Sequence, residues 1–212
     1  MNDIDMLIDD LTGSLKPVRS LTVGNGRLLF AGIGLASIFL AVALMGMRTD
    51  LAALAPDPIT LISSGLFFLF GVSCGITATR MARPAVGAAS DGWRWALAAM
   101  LLLPGIALGE MLFFPALRGG ASADLGIVCL ERGLVASLGT AVFLTLWLRR
   151  GAPVRIELAA WLVGFAAGSV GAVAIALTCP DGDIGHVGIW HSAIIIVSGG
   201  LARLSLPRLL RW

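Results

Sequence analysis

The stretch IELAAWLVGFAAGSVGAVAIALT, from Ile156 to Thr178, holds one charged residue, Glu157, among apolar and small side chains. A bilayer core about 30 Å thick is crossed by about 20 such residues in α-helix. Lipid offers no partner to backbone N–H and C=O groups, so a spanning segment has to pair them internally, as a helix does. Working outward, five further stretches read the same way: residues 28–47, 59–79, 95–115 and 125–148 before it, and 189–206 after it. Turn and charge signals separate them at Asp57-Pro58, Arg83-Pro84, Arg118-Gly119-Gly120, Gly151-Ala152-Pro153 and Cys179-Pro180-Asp181-Gly182. The reading is an all-α membrane protein of six transmembrane helices. Composition agrees: 58% of residues are hydrophobic and only 13% charged, against about 25% charged in soluble domains. A soluble enzyme is excluded on that ground, and a net charge of +2 gives no reason to expect direct nucleic-acid binding.

Lys and Arg placement orients the helices. Lys16, Arg19 and Arg27 precede the first span, Arg80, Arg83 and Arg94 flank the second connection, Arg149, Arg150 and Arg155 the fourth, and Arg203, Arg208 and Arg211 the C-terminus. That is 12 of 15 basic residues on one side; Arg48 and Arg118 lie on the other, and Arg132 inside the fourth span. N- and C-termini are therefore expected in the cytoplasm. Ala53-Leu54-Ala55 resembles a signal-peptidase site, but the first apolar stretch is longer than a signal h-region of about 7–15 residues, so no cleavage is expected. The chain divides into a cytoplasmic arm, residues 1–27, and a six-helix membrane domain, residues 28–212. Gly71 with Gly75 and Gly164 with Gly168 have the spacing that lets helices approach in lipid, which reads as ordinary bundle packing rather than a dimer seam.

In the arm, Ile4, Leu7, Ile8, Leu11 and Leu15 recur at the spacing of one helix face, and Pro17 ends the pattern. A short helix alone in water is marginal and gains order by laying its apolar stripe in a partner's groove. The alternative is a helix lying on the membrane lipid. Surface helices favour Lys and Arg, whereas Asp3, Asp5, Asp9 and Asp10 surround this stripe. Partner binding is the reading preferred.

On the opposite, periplasmic side the topology collects nearly every ionisable or soft residue at one depth. These are Glu110, Cys129, Glu131, Arg132, Cys179, Asp181, Asp183, His186 and His191. Such residues in a membrane are functional candidates by default. Cys129 and Cys179 could form a disulfide, bind a soft metal with imidazole help from His191, or simply pack as small residues. Arg132 is expected to pair with Glu110 as a structural clamp. Cys74 falls toward the cytoplasm and reads as a packing residue. Three cysteines without a CxxC pair exclude a zinc ribbon or disulfide scaffold. No Ser-His-Asp arrangement, phosphate loop or HExxH is present, so no catalytic residues and no permanent cofactor are expected.

Taken together, several marks resemble one known family. They are Asp9-Asp10-Leu11 followed by Lys16-Pro17-Val18-Arg19, Cys129 at the start of the fourth span, Cys179-Pro180-Asp181, Trp190-His191, and the tail Leu206-Pro207-Arg208-Leu209-Leu210-Arg211-Trp212. The chain is similar over its whole length to the NrsF-type anti-sigma factors. The resemblance implies an inner-membrane protein of bacteria that holds an extracytoplasmic-function (ECF) sigma factor and releases it under oxidant or heavy-metal stress. It implies that the sensing cysteines are Cys129 and Cys179, and Asp181 fits the acidic residue that often follows Cys-Pro in the family; His186 and His191 are auxiliary candidates from their position beside the cysteines, and Cys74 matches no family cysteine. The resting state is expected to be the reduced or metal-free pair. A small transporter or channel is the rival, but its midplane charges and repeated halves are not evident here. A quinone-linked thiol oxidoreductase usually needs the CxxC pairs this chain lacks.

Overall fold

The computed structural model describes residues 3–13, 22–84, 91–113 and 123–210. Among them the elements, in chain order, are helices α1 (Asp3–Gly13), α2 (Val23–Met45), α3 (Thr49–Ala52), α4 (Pro58–Met81), α5 (Gly92–Phe113), α6 (Ala123–Arg149), α7 (Ile156–Ala176) and α8 (Ile184–His186). A π-helical turn, Val187–His191, then joins α8 to α9 (Ser192–Leu210). Among the described residues six helical segments are long and apolar enough to cross a membrane: α2, α4, α5, α6, α7 and the run Ile184–Leu210.

The stretch that decided the class is also the centre of the bundle. α7 packs against α9, α4, α6 and α2, and its Ala, Gly and Ser residues from Ala166 to Ala176 are buried throughout. Small residues matter here because helix association in lipid relies on close backbone approach rather than on expelling water. A Cβ at Gly164 would land on the backbone of Ser198 and Gly199, and one at Gly171 on the Gly133 carbonyl. Gly71 lies against Ser169, Gly75 beneath the Phe30 ring and Gly168 against Ile195. Both expected small-residue pairs are thus used within the bundle. The outward surface carries Leu35, Phe39, Leu69, Leu112, Leu138 and Leu204, all exposed. An apolar surface of that extent suits acyl chains and would be unstable in water.

The helix ends differ from the sequence reading for local reasons. α2 starts at Val23 rather than Leu28 because Gly24, Asn25 and Gly26 are helical without being apolar. The last span starts at Ile184, where the Asp183 carboxylate accepts from the N–H groups of Gly185 and His186. It also continues through Pro207 to Leu210. Arg203 pairs with Glu157 of α7 at 2.9 Å.

In α1 every side chain described, Ile4 to Gly13, is exposed. Ile4, Leu7, Ile8 and Leu11 therefore present an apolar stripe outward. Leu15 and the segment Lys16 to Arg19 lie outside the described residues, as do Arg118, Arg211 and Trp212.

Candidate functional site

Cys129 sits two turns into α6, while Cys179 follows α7 in the loop Cys179-Pro180-Asp181-Gly182-Asp183. The Cys179 N–H bonds the Ile175 carbonyl at 2.7 Å and so fixes the residue onto the end of α7. The two thiols meet: Cys129 Sγ donates to Cys179 Sγ at 3.4 Å, both are buried, and both are free. His186 Nε2 lies 3.5 Å from Cys179 Sγ, and Asp181 Oδ2 lies 3.5 Å from the ring's other nitrogen, Nδ1.

His191 completes the group. It lies five positions after His186, and an α-helix would turn them about 140° apart at about 100° per residue. A π-turn closes over five residues instead and returns both rings to one side. They stand edge to face, with centroids 5.4 Å apart and planes at 83°. One ligand atom from each of Cys129, Cys179, His186 and His191 lies within 4.8 Å of all the others. The imidazoles are fully buried, and neither nitrogen of His191 has a hydrogen-bond partner among the described residues. Leaving such a group unsatisfied costs about 1–3 kcal/mol. Cys179 lies outside the spans, and the Cys129 hydrogen bond pulls its thiol well below the ordinary range. Burial opposes that, while His186 and the Asp181 N–H add to it.

Sequence reasoning missed Arg48, which it counted only as a stray charge on the outer side. Its side chain is buried, Nε donates to Asp50 Oδ1 at 2.7 Å, and its N–H bonds the Leu177 carbonyl at the end of α7 at 3.1 Å. Arg48 holds the half-buried Asp50 carboxyl down at about 2. Asp50 in turn accepts from the Asp57 N–H, and Asp57 caps α4 through Thr60. A Cβ at Gly182 would come within 3.2 Å of both the Arg48 guanidinium and the Asp57 carboxylate. The chain between α2 and α4 thereby closes over the cysteine loop. No local pattern in the sequence could have announced this, because the contact joins segments far apart in the chain.

The expected Arg132–Glu110 clamp does not form. Neither residue is a member of the ion pairs Arg48–Asp50, Arg94–Asp91, Arg203–Glu157 and His186–Asp181. α5 packs chiefly on α4 and on the α8 and π-turn segment, whereas α6 packs on α7 and α2. Glu131 and Arg132 face outward and Glu110 is half-buried elsewhere. Asp183 acts as a helix cap rather than facing the thiols. Cys74 is fully buried in the bundle, in line with packing.

Fold and site together define a class: a multi-span α-helical protein with a buried thiol–imidazole cluster at one end and an exposed amphipathic arm preceding its first span. The chain belongs to the NrsF family, "Negative regulator of sigma F", which matches residues 11–212. It is 26% identical over 213 residues to the anti-sigma-F factor NrsF of Caulobacter vibrioides (strain NA1000 / CB15N), covering 98% of this chain and 99% of that protein. No solved structure matches.

Proposed function

We propose that this protein is an inner-membrane anti-sigma factor that holds an ECF sigma factor through its cytoplasmic arm and releases it when Cys129 and Cys179 meet an oxidant or a heavy metal. The observation carrying the sensing role is the 3.4 Å approach of two buried thiols from separate helices. Oxidation by a peroxide is balanced in two steps. One thiol takes an oxygen atom to become a sulfenic acid, releasing water; the other thiol then displaces that hydroxyl as a second water and forms the disulfide. The sulfurs must close to about 2.05 Å, which draws α6 and the end of α7 together. A soft cation would bridge the same sulfurs with the imidazoles beside them.

The arm's apolar stripe supports the partner role, and the basic residues on its side of the spans support a cytoplasmic location for it. A transporter reading loses ground because small residues fill the centre of the bundle around α7. The test is co-purification with an ECF sigma factor of the same bacterium, co-expressed with this protein. The parent should retain it, and the triple variant Leu7→Asp, Ile8→Asp, Leu11→Asp should lose it while still inserting in the membrane. Truncating a single interface anchor can cost about 2 kcal/mol, so three buried charges suffice. Retention by the triple variant would overturn the arm's role.

A further inference from the structure

We infer that Cys129, Cys179, His186 and His191 form a closed four-ligand site for one zinc ion. Two thiolates with two imidazoles is the donor set of tetrahedral zinc. With Zn–S near 2.3 Å and Zn–N near 2.0–2.1 Å, tetrahedral ligand atoms stand about 3.3–3.8 Å apart. Here the Sγ–Sγ separation is 3.4 Å and one Sγ–Nε2 separation 3.5 Å. The remaining separations do not exceed 4.8 Å, so side-chain shifts of about 1 Å would complete the tetrahedron around an ion of that size.

Three features point to a ligand rather than to packing alone. His191 is fully buried, yet both its ring nitrogens lack partners among the described residues. The π-turn sets His191 beside His186, whose Nε2 already faces Cys179. And Asp181 approaches His186 Nδ1 at 3.5 Å, the carboxylate–imidazole arrangement that fixes a ligating ring with its other nitrogen turned to the metal. The ion would tie α6 to the connection between α7 and α9, at the level where Arg48 closes the same loop. All four ligands are buried and supplied by the protein, which is the character of a closed zinc site rather than a catalytic one with an open position, and the zinc-free, reduced cluster is the resting state.

This inference rests on the sensing reading in that it names the ligand of the same cluster, but metal binding is measured without any sigma factor. The full-length protein, purified in detergent and stripped by a chelator under reducing conditions, is titrated with cobalt(II) and then zinc. One cobalt per chain is expected, with the strong visible bands of a tetrahedral ion and thiolate-to-cobalt charge transfer, displaced by one zinc. His186→Ala and His191→Ala should each weaken zinc binding about tenfold or more, and Asp181→Asn about tenfold with the cobalt bands kept. Cys129→Ser should reduce the charge-transfer band. A second measurement needs no variant: zinc should protect Cys129 and Cys179 of the parent from alkylation, read by mass spectrometry. Absence of stoichiometric binding, unchanged alkylation, or histidine variants that bind like the parent would overturn the inference. A protein that binds zinc yet retains no sigma factor would instead retire the anti-sigma mechanism and leave this site standing.

Discussion

Within a single side chain, the cysteines and Asp50 permit opposite kinds of test. Cys→Ser keeps size and removes thiol chemistry and soft-metal affinity. Cys129→Ser and Cys179→Ser should leave target genes repressed but unresponsive to oxidant or cadmium in a transcriptional reporter, while Cys74→Ser, remote from the cluster, responds like the parent. Full induction in both serine variants would place the signal elsewhere. Asp50 carries a pH signature. Its carboxyl is lowered from 3.8 to about 2 by the Arg48 hydrogen bond, so the ionised form is favoured by folding. Its contribution is complete above pH about 4 and is lost as pH falls toward 2. Thermal melts of the parent and of Asp50→Asn in detergent should differ by a constant amount above pH 4 and converge below it; a gap that persists to pH 2 would deny the linkage. The cysteines were legible in the sequence because few residue types bring soft chemistry into a span. Arg48 was not, because its partners Leu177 and Gly182 are brought to it only by folding. Pairing Arg132 with Glu110 failed for the same reason, since depth along a helix says nothing about which neighbour its face meets.

Among the helices, all six spans were legible because lipid imposes one length and one composition on each of them. What periodicity could not supply is the π-turn, which packs against α5 and carries His191 to the thiols. Nor could it rank the helices. α7 looks like any other span in sequence, yet it is the one whose glycines meet backbone on two sides. Gly171 faces the Gly133 carbonyl, whereas a Cβ at Gly105 of α5 would meet nothing within 4 Å. Gly171→Ala should therefore destabilise by about 1–3 kcal/mol through overpacking, and Gly105→Ala should be neutral or stabilising by up to about 1 kcal/mol from helix propensity. Melting temperatures of the two variants in one detergent decide it. Equal values would mean that α6 and α7 do not cross as closely as the structure places them.

Across the whole molecule, the cluster and the arm lie at opposite ends of α2, a helix of 23 residues and hence about 35 Å long. On the proposed orientation the two stand on opposite faces of the membrane, so signal and partner do not touch. Reporter fusions after Arg150 and at the C-terminus should read as cytoplasmic, and those near Asp57 and Asp183 as periplasmic; a periplasmic C-terminus would sink the orientation and the proposed mechanism with it. Given that orientation, the signal has to travel as a difference in packing. The cluster joins α6 to both ends of the α7–α9 connection, and α6 also packs against α2, whose N-terminal end follows the arm. Closing the thiols moves α6 relative to α7, and Gly126 beneath the Trp190 ring and Gly133 beneath Ile194 leave α6 little freedom to absorb that movement locally. A tenfold loss of sigma-factor affinity requires only about 1.4 kcal/mol of coupling between the two ends. Measured on the full-length protein in nanodiscs, oxidation by peroxide should weaken sigma-factor binding at least about tenfold, and reduction should restore it. Cys179→Ser should hold the reduced affinity under either condition. Should oxidised and reduced parent bind alike while mass spectrometry shows the Cys129–Cys179 disulfide formed, the cluster would be uncoupled from the arm, and release would have to begin on the cytoplasmic side.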